Sequence, residues 1–465
     1  MELTRNGYKI LKTLDDVPLL RKQLTVKPYI PAVFVKPQYV KPYKVYHETE
    51  NYFYLPKQFG ISKYGIPAIN NCSVAVGSDA RWTFAGTIRD AQKPVVDSYL
   101  KPEAHDGMIC LQTGGGKTVC ALYIASQLKV KTLIVVHNTF LKDQWEERIK
   151  TFLPNARIGK IQGEITDVTD RDIVIAMIQS ISMKDYPKEV FYGIGLTIID
   201  ECHHIASEVF VQAFPKVTAQ HMLGLSATPD RKDGLMYVIE WFLGPILYKS
   251  ESADKEDPAV HVEVFQHETD NPEFNSIIYN SQGVMSSVSM VNKIASFKPR
   301  TKMISAILED VLVEGRQILV LSDRVQHCKD ILESLSPKLK ETACILAQNV
   351  AAPKRAEWCT TKKILIATYS MCKEGFDVAT LNTLMMATPR PDIDQIVGRI
   401  LRTEKSVRTI DPLIIDIVDS TMRRQFQQRL ILYKKRNYTI ETMELLLLEE
   451  RPAAQNVQEK RVDEG

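Results

Sequence analysis

The chain has 465 residues, 45% of them hydrophobic and 25% charged, which excludes a disordered or collagen-like polymer and allows roughly two to four folded domains with sizeable cores. Its formal charge of +3 is too small for bulk electrostatics to announce a nucleic-acid binder, so any basic surface must be local. Eight cysteines without a C-x-x-C pair argue against a zinc site or a disulfide framework and for a reducing compartment. The start Met-Glu-Leu-Thr-Arg-Asn lacks a secretory pattern and no apolar run approaches the length of a membrane span. A location in the cytoplasm or nucleoid, away from any membrane, is expected.

Residues 1–80 are expected to form a small, mostly β domain. Lys27-Pro28, Lys36-Pro37 and Lys41-Pro42 interrupt short extended segments, and Tyr8, Tyr29, Tyr39, Tyr43, Tyr46, Tyr52, Tyr54 and Tyr64 all lie there. Lysines interleaved with aromatics suit a surface that grips a nucleic-acid backbone and stacks bases. The alternative is that the rings fill a small core while the lysines keep strand edges solvated.

Residues 81–250 alternate apolar runs with helical patterns. The runs 109–111, 132–136, 173–176, 196–199 and 222–225 are expected strands of one parallel sheet. After the first comes Leu111-Gln112-Thr113-Gly114-Gly115-Gly116-Lys117-Thr118, which reads as a phosphate-binding loop, although Leu111 stands where the strict pattern has glycine. Gly114, Gly115 and Gly116 let backbone N–H groups approach phosphates, Lys117 can reach the β- and γ-phosphates, and the Thr118 hydroxyl can ligate Mg²⁺. The run 196–199 delivers Asp200 and Glu201 to the C-terminal edge of a buried strand, where open α/β sheets bind ligands. Asp200 is then expected to hold the Mg²⁺ shell and Glu201 to polarise the attacking water, which points to nucleotide hydrolysis. His203 and His204 beside Glu201 lack H-E-x-x-H spacing, so a metalloprotease site is rejected.

Residues 251–298 are expected to be a linker or transitional segment, opening with a charged stretch at 249–258. A second set of strand-like runs at 317–321, 343–346, 363–367, 383–386 and 413–416 makes residues 299–450 a second α/β domain, and 451–465 a polar tail.

Further motifs follow in order: Gln92 with Arg89, the loop at 111–118, Asp200 to His204, Ser226-Ala227-Thr228-Pro229, Thr368 with Glu374-Gly375-Phe376-Asp377, and Gln395-Ile396-Val397-Gly398-Arg399-Ile400-Leu401-Arg402. Over about residues 85–440 this set resembles the superfamily 2 helicases, and the D-E-C-H acid segment with Arg231-Lys232-Asp233-Gly234 looks most like the XPB-like branch, including helicases of bacteriophages and large DNA viruses. A viral origin fits that likeness. The branch has Arg-Glu-Asp where this chain has Arg-Lys-Asp, so a role tied to that central acid does not carry over.

The resemblance implies two tandem RecA-like domains, ATP and Mg²⁺ as cofactors, and a monomeric motor on DNA, single-stranded or branched, with RNA as the other nucleic acid it could take. Gln92, Thr113, Gly114, Gly115, Gly116, Lys117, Thr118 and Asp377 would bind ATP, Gln92 through the adenine edge. Gln395, Arg399 and Arg402 would join Lys117, Asp200 and Glu201 in catalysis, the arginines meeting γ-phosphate charge. Ser226 and Thr228 would couple the ATP site to movement. Thr139, Gln179, Ser180, Ser322, Arg324, Thr368 and Lys373 would hold the strand through its phosphates, without reading sequence. The family likeness further implies 3′ to 5′ movement in replication, recombination or repair. The alternatives are a motor that acts in transcription and an ATP-gated clamp that separates nothing.

Overall fold

The computed structural model describes residues 1–14, 16–29, 40–72, 74, 76–101, 106–112, 114–204, 211–227, 231, 233–250, 256–281, 283–312, 315–347, 350–373, 378, 380–401, 403 and 408–443. Thr113, Thr228, Asp377, Arg402 and the tail at 451–465 fall outside the described residues, as do Lys36 and Tyr39. The chain divides into two compact units, Met1–Ala253 and Asp254–Gly465.

In the first unit an eight-stranded sheet runs in the order Ile165–Asp167, Ile158–Gln162, Ile173–Met177, Thr132–Val136, Leu196–Ile199, His221–Ser226, Asp106–Cys110 and Ile246–Lys249. All neighbours are parallel except the hairpin at Ile165–Asp167. Every residue of Thr132–Val136, Ile173–Met177, Leu196–Ile199 and His221–Ser226 is buried, because helices cover both faces of such a sheet and leave no side for water. The helix Thr139–Phe152 shows how a local pattern achieves this. The Asn138 side chain caps it by accepting from the Leu141 N–H at 2.8 Å, and Leu141, Trp145 and Ile149, each four residues apart, form its buried stripe.

Residues 1–80 contribute a second, five-stranded sheet ordered His47–Glu48, Tyr52–Leu55, Gly7–Leu11, Glu2–Thr4 and Ile69–Asn70, and they belong to the same compact unit as the large sheet. Their tyrosines are chiefly packing groups. Tyr8 and Tyr43 are buried, Tyr8 stacks on Tyr64, Tyr46 stacks on Phe53, and Tyr29 is the exposed exception. Lys57, 3% exposed, fastens this sheet to the large one by an ion pair to Asp106 at 2.7 Å and bonds to the carbonyls of Ala219 and Gln220.

The second unit holds a seven-stranded, fully parallel sheet ordered Ala343–Leu346, Ile364–Thr368, Ile318–Ser322, Thr383–Met386, Leu413–Asp419, His261–His267 and Thr439–Met443. The stretch expected as a linker therefore supplies a sheet strand, His261–His267, and a ten-residue helix, Ser287–Ser296. The strand escapes a sequence reading because its Val262, Val264 and Phe265 are mixed with His261, Glu263, Gln266 and His267, a pattern unlike the continuous apolar runs of Ile318–Ser322 and Thr383–Met386 in the same sheet.

Candidate functional site

The site in the first unit is built at the C-terminal edge of three adjacent strands. The strand Asp106–Cys110 runs into the glycine loop, in which Gly114 and Gly116 have φ of +83° and +82°, a conformation that L side chains rarely adopt. Gly116 is also crowded: a Cβ there would lie 2.2 Å from the Gln92 amide nitrogen. The helix Lys117–Leu128 begins directly after it, so its N–H groups face the space that phosphates take in such loops. Gln92 is 3% exposed and its carbonyl oxygen accepts from the Arg89 N–H at 3.1 Å, which sets the amide against the loop.

Two strands away, Leu196–Ile199 delivers the acid pair. Lys117 Nζ meets Glu201 Oε1 at 3.1 Å, joining loop and acids across 84 residues of sequence. Asp200 is locked on both oxygens: Oδ1 accepts from the Glu201 N–H at 2.9 Å and Oδ2 from the Trp145 indole N–H at 2.8 Å. His203 Nδ1 stands 3.0 Å from Ser226 Oγ and 3.3 Å from Glu201 Oε2, which is buried without an aligned hydrogen bond. Ser226 in turn accepts at its carbonyl from the Leu111 N–H at 3.0 Å. The expected coupling residue thus touches both the acid turn and the start of the phosphate loop. Arg231 closes the turn by donating to the His203 carbonyl and pairing with Asp233.

The electrostatics separate the two acids. Burial, and then the charge of Glu201, push the Asp200 carboxyl above the usual carboxylate range, against the pull of Lys117 and the Trp145 N–H. Burial acts on Glu201 in the same sense, but Lys117 and His203 outweigh it and hold Glu201 well below the usual carboxylate range. The pair therefore has one firmly ionised member beside the lysine and one whose second charge is poorly compensated, which is a request for a cation. Among the described residues no group of three or more His, Cys, Asp or Glu is placed to hold a metal ion by itself. Asp200 and Thr118 are the residues that would hold a Mg²⁺ together with the phosphates of a nucleotide.

The expected strand contacts of this unit sit on the same edge. Thr139 is exposed at a helix start, Gln179 is exposed and donates to the His137 carbonyl at 2.6 Å, and the Ser180 hydroxyl already accepts from the Gly163 N–H at 2.9 Å.

In the second unit Ser322 differs from its expected role. It is fully buried, its hydroxyl placed 3.0 Å from His327 Nδ1 and accepting from the Arg324 N–H at 3.1 Å, so it shapes the loop from within. Arg324 is partly exposed and reaches the helix Ser287–Ser296 at Asn292 and the Val288 carbonyl. The Thr368 hydroxyl lies 3.0 Å from that of Ser370, and Lys373 ends the short helix that follows, its side chain lying outside the described residues. Gln395 lies in the helix Asp394–Val397, which Arg436 ties down through Asp394 at 2.9 Å, and Arg399, 6% exposed, follows directly. The basic helix Arg423–Lys435 is mostly a solvated face. Its Arg429 is instead buried in a two-bond pair with Asp416, at 2.8 and 2.7 Å.

Trp145, His203 and Arg231 carry contacts to which the sequence reading assigned no role, although Arg231 opens the Arg231-Lys232-Asp233-Gly234 segment. His203 did have a signal, being the last member of D-E-C-H. Trp145 had none beyond its place on an amphipathic helix.

Comparison with known proteins decides the family. A protein of Acanthamoeba polyphaga mimivirus that carries the name of an ATP-dependent RNA helicase is 33% identical over 454 residues, covering 95% of this chain and 86% of that one. The chain belongs to the superfamily 2 helicases. A helicase-named protein of Invertebrate iridescent virus 6 is 26% identical over 387 residues, 78% of this helicase and 84% of its own length. The family described as Type III restriction enzyme, res subunit, matches residues 85–231 of this helicase. Among solved structures, S. cerevisiae Dbp5 bound to RNA and ADP BeF3 shares the fold at a TM-score of 0.53 and 12% identity, covering 76% of this helicase and 89% of that chain. As a helicase of this family the protein is an ATP-hydrolysing enzyme.

Proposed function

We propose that this helicase uses ATP and Mg²⁺ to move 3′ to 5′ along DNA as a monomer and to unwind or remodel forked and branched DNA in replication, recombination or repair. The observation that carries the hydrolytic part is the Lys117–Glu201 pair at 3.1 Å beside an Asp200 locked on both oxygens. When ATP binds, Lys117 exchanges Glu201 for phosphate oxygens, and the released carboxylate orients the attacking water with His203 behind it. Mg²⁺, held by Thr118 and Asp200, would neutralise charge on the phosphates. Arg399 and Arg402 would meet the charge that develops on the transferred group.

The DNA part is supported by the motif likeness to phage and large-virus helicases and by the kind of contact on offer. Thr139, Gln179, Ser180, Arg324 and Thr368 offer hydroxyls, an amide and a cation suited to phosphates, which fix position without reading sequence. A second reading, RNA or an RNA–DNA hybrid in transcription, is favoured by the RNA named for the mimivirus relative. The clamp reading is disfavoured by the presence of every expected hydrolytic residue in the sequence. One panel decides: ATPase and strand displacement by the purified chain on forks, four-way junctions, RNA–DNA hybrids and duplex RNA. Displacement of forks and junctions but not of duplex RNA is expected. Displacement confined to RNA-containing duplexes would replace the DNA reading, and ATP turnover without displacement of any would leave a translocase.

A further inference from the structure

The helix Thr139–Phe152 carries a candidate strand contact at its start and a contact to the acid pair at its middle. At its start are Asn138, whose side chain caps it, and exposed Thr139. The neighbouring segment is bonded to the same corner, because the Gln179 amide donates to the His137 carbonyl at 2.6 Å. Six residues further on, about 9 Å along the axis, stands Trp145. Its ring is 1% exposed, and its indole N–H is bonded at 2.8 Å to Asp200 Oδ2. Asp200 has little other freedom, since its backbone N–H is bonded to the Val135 carbonyl at 3.1 Å and its Oδ1 to the Glu201 N–H at 2.9 Å. Any shift of the helix start would therefore be passed, through one hydrogen bond, to the carboxylate of Asp200.

We propose that Trp145 is a positioning residue through which nucleic acid held at the Thr139 and Gln179 segments sets the orientation of the Asp200 carboxylate, so that strand binding stimulates ATP turnover. An indole suits the task. It is a donor only, so it can hold an ionised acid but cannot accept a bond from a protonated one, and its bulk fixes the ring within the core. The inference rests on the reading that these two segments contact nucleic acid.

The test compares the full chain with Trp145→Phe, which keeps the apolar ring and removes the donor. The ratio of ATPase rates with and without saturating single strand is expected to fall about tenfold, the scale of an ordinary coupling free energy, while the nucleic-acid Kd stays near wild type. The Mg²⁺ concentration that half-saturates binding of a non-hydrolysable ATP analogue is expected to rise. Equal losses of stimulated and unstimulated rate, with the ratio and the Mg²⁺ half-point unchanged, would mean a packing role and overturn the proposal. A wild type that nucleic acid does not stimulate would sink the underlying reading instead. Should Trp145→Phe fail to fold, the chain carrying W82F, W241F and W358F leaves Trp145 as the sole indole. Its emission is expected to shift on adding single strand without nucleotide, and an emission blind to the strand would also overturn the proposal.

Discussion

Glu201 is one of four described non-glycine residues with positive φ, at +49°, in the turn that brings its carboxylate to Lys117 and sets His203 behind it. A non-glycine residue in this region costs energy and persists only where its surroundings over-determine it, which here are the Asp200 carboxylate on its N–H and Lys117 on its side chain. Each partner of the ion pair is expected to fail differently. Lys117→Ala should weaken ATP binding, since the loop loses the cation that meets the β- and γ-phosphates. Glu201→Gln should leave ATP bound while turnover falls by about 10²–10⁴-fold, the usual worth of a positioned acid–base group. Equilibrium binding of labelled ATP and nucleic-acid-stimulated turnover measure the two effects separately. Near-wild-type turnover in either folded variant would remove the assignment of the site.

At the scale of elements, the sheets were legible wherever both faces are covered. Thr132–Val136 and Thr383–Met386 match their apolar runs residue for residue, because a strand sealed between helices admits no polar alternation. His261–His267 and Thr439–Met443 were not legible. Both lie towards one side of their sheet and carry the polar residues that a less enclosed strand tolerates. The acid pair and the phosphate loop could be read because their chemistry repeats at fixed spacing, whereas the bond from Trp145 to Asp200 joins a helix to a strand across 55 residues and leaves no mark in the sequence.

Buried polar residues between elements give two further expectations. His327, 1% exposed, sits on the helix Val325–Ser334 against Ser322, and burial, reinforced by the charge of Arg300, pushes its imidazole down to about 4. The folded state then refuses a proton that the unfolded chain accepts near 6.5. The stabilisation is fully present above that pH and is lost as pH falls towards 4, in all roughly 3 kcal/mol. His327→Gln should therefore flatten the pH dependence of urea unfolding in this window relative to wild type, and parallel profiles would refute the attribution. In the first unit, Lys57→Met leaves Asp106 without its buried cation and should destabilise by about 3 kcal/mol or more, seen as an earlier thermal transition. An unmoved transition would show that the two sheets are held together by apolar packing alone.

At the scale of the molecule, the placement of the N-terminal sheet bears on how branched DNA would be held. Lys57 fastens it at Asp106, Ala219 and Gln220, the N-terminal ends of two strands of the large sheet, whereas Thr139, Gln179 and the acid pair lie at C-terminal ends. Exposed Lys44 lies over the Tyr46 ring and borders a cavity of about 340 Å³ shared with His47, Tyr54, Lys216 and Phe214. If the proposed strand contacts at Thr139 and Gln179 hold, a basic, aromatic surface on the opposite side would not serve that strand and would instead meet the second arm of a fork. Lys41→Ala with Lys44→Ala should therefore leave the salt dependence of single-strand binding unchanged. On forked DNA it should lower the slope of log K against log salt by about 0.7–0.9 for each lysine that neutralises a phosphate. Titrations on both substrates over a range of salt measure it. A slope unchanged on forks as well would make these lysines solvated edge residues, and the module a support for the large sheet rather than a grip on DNA.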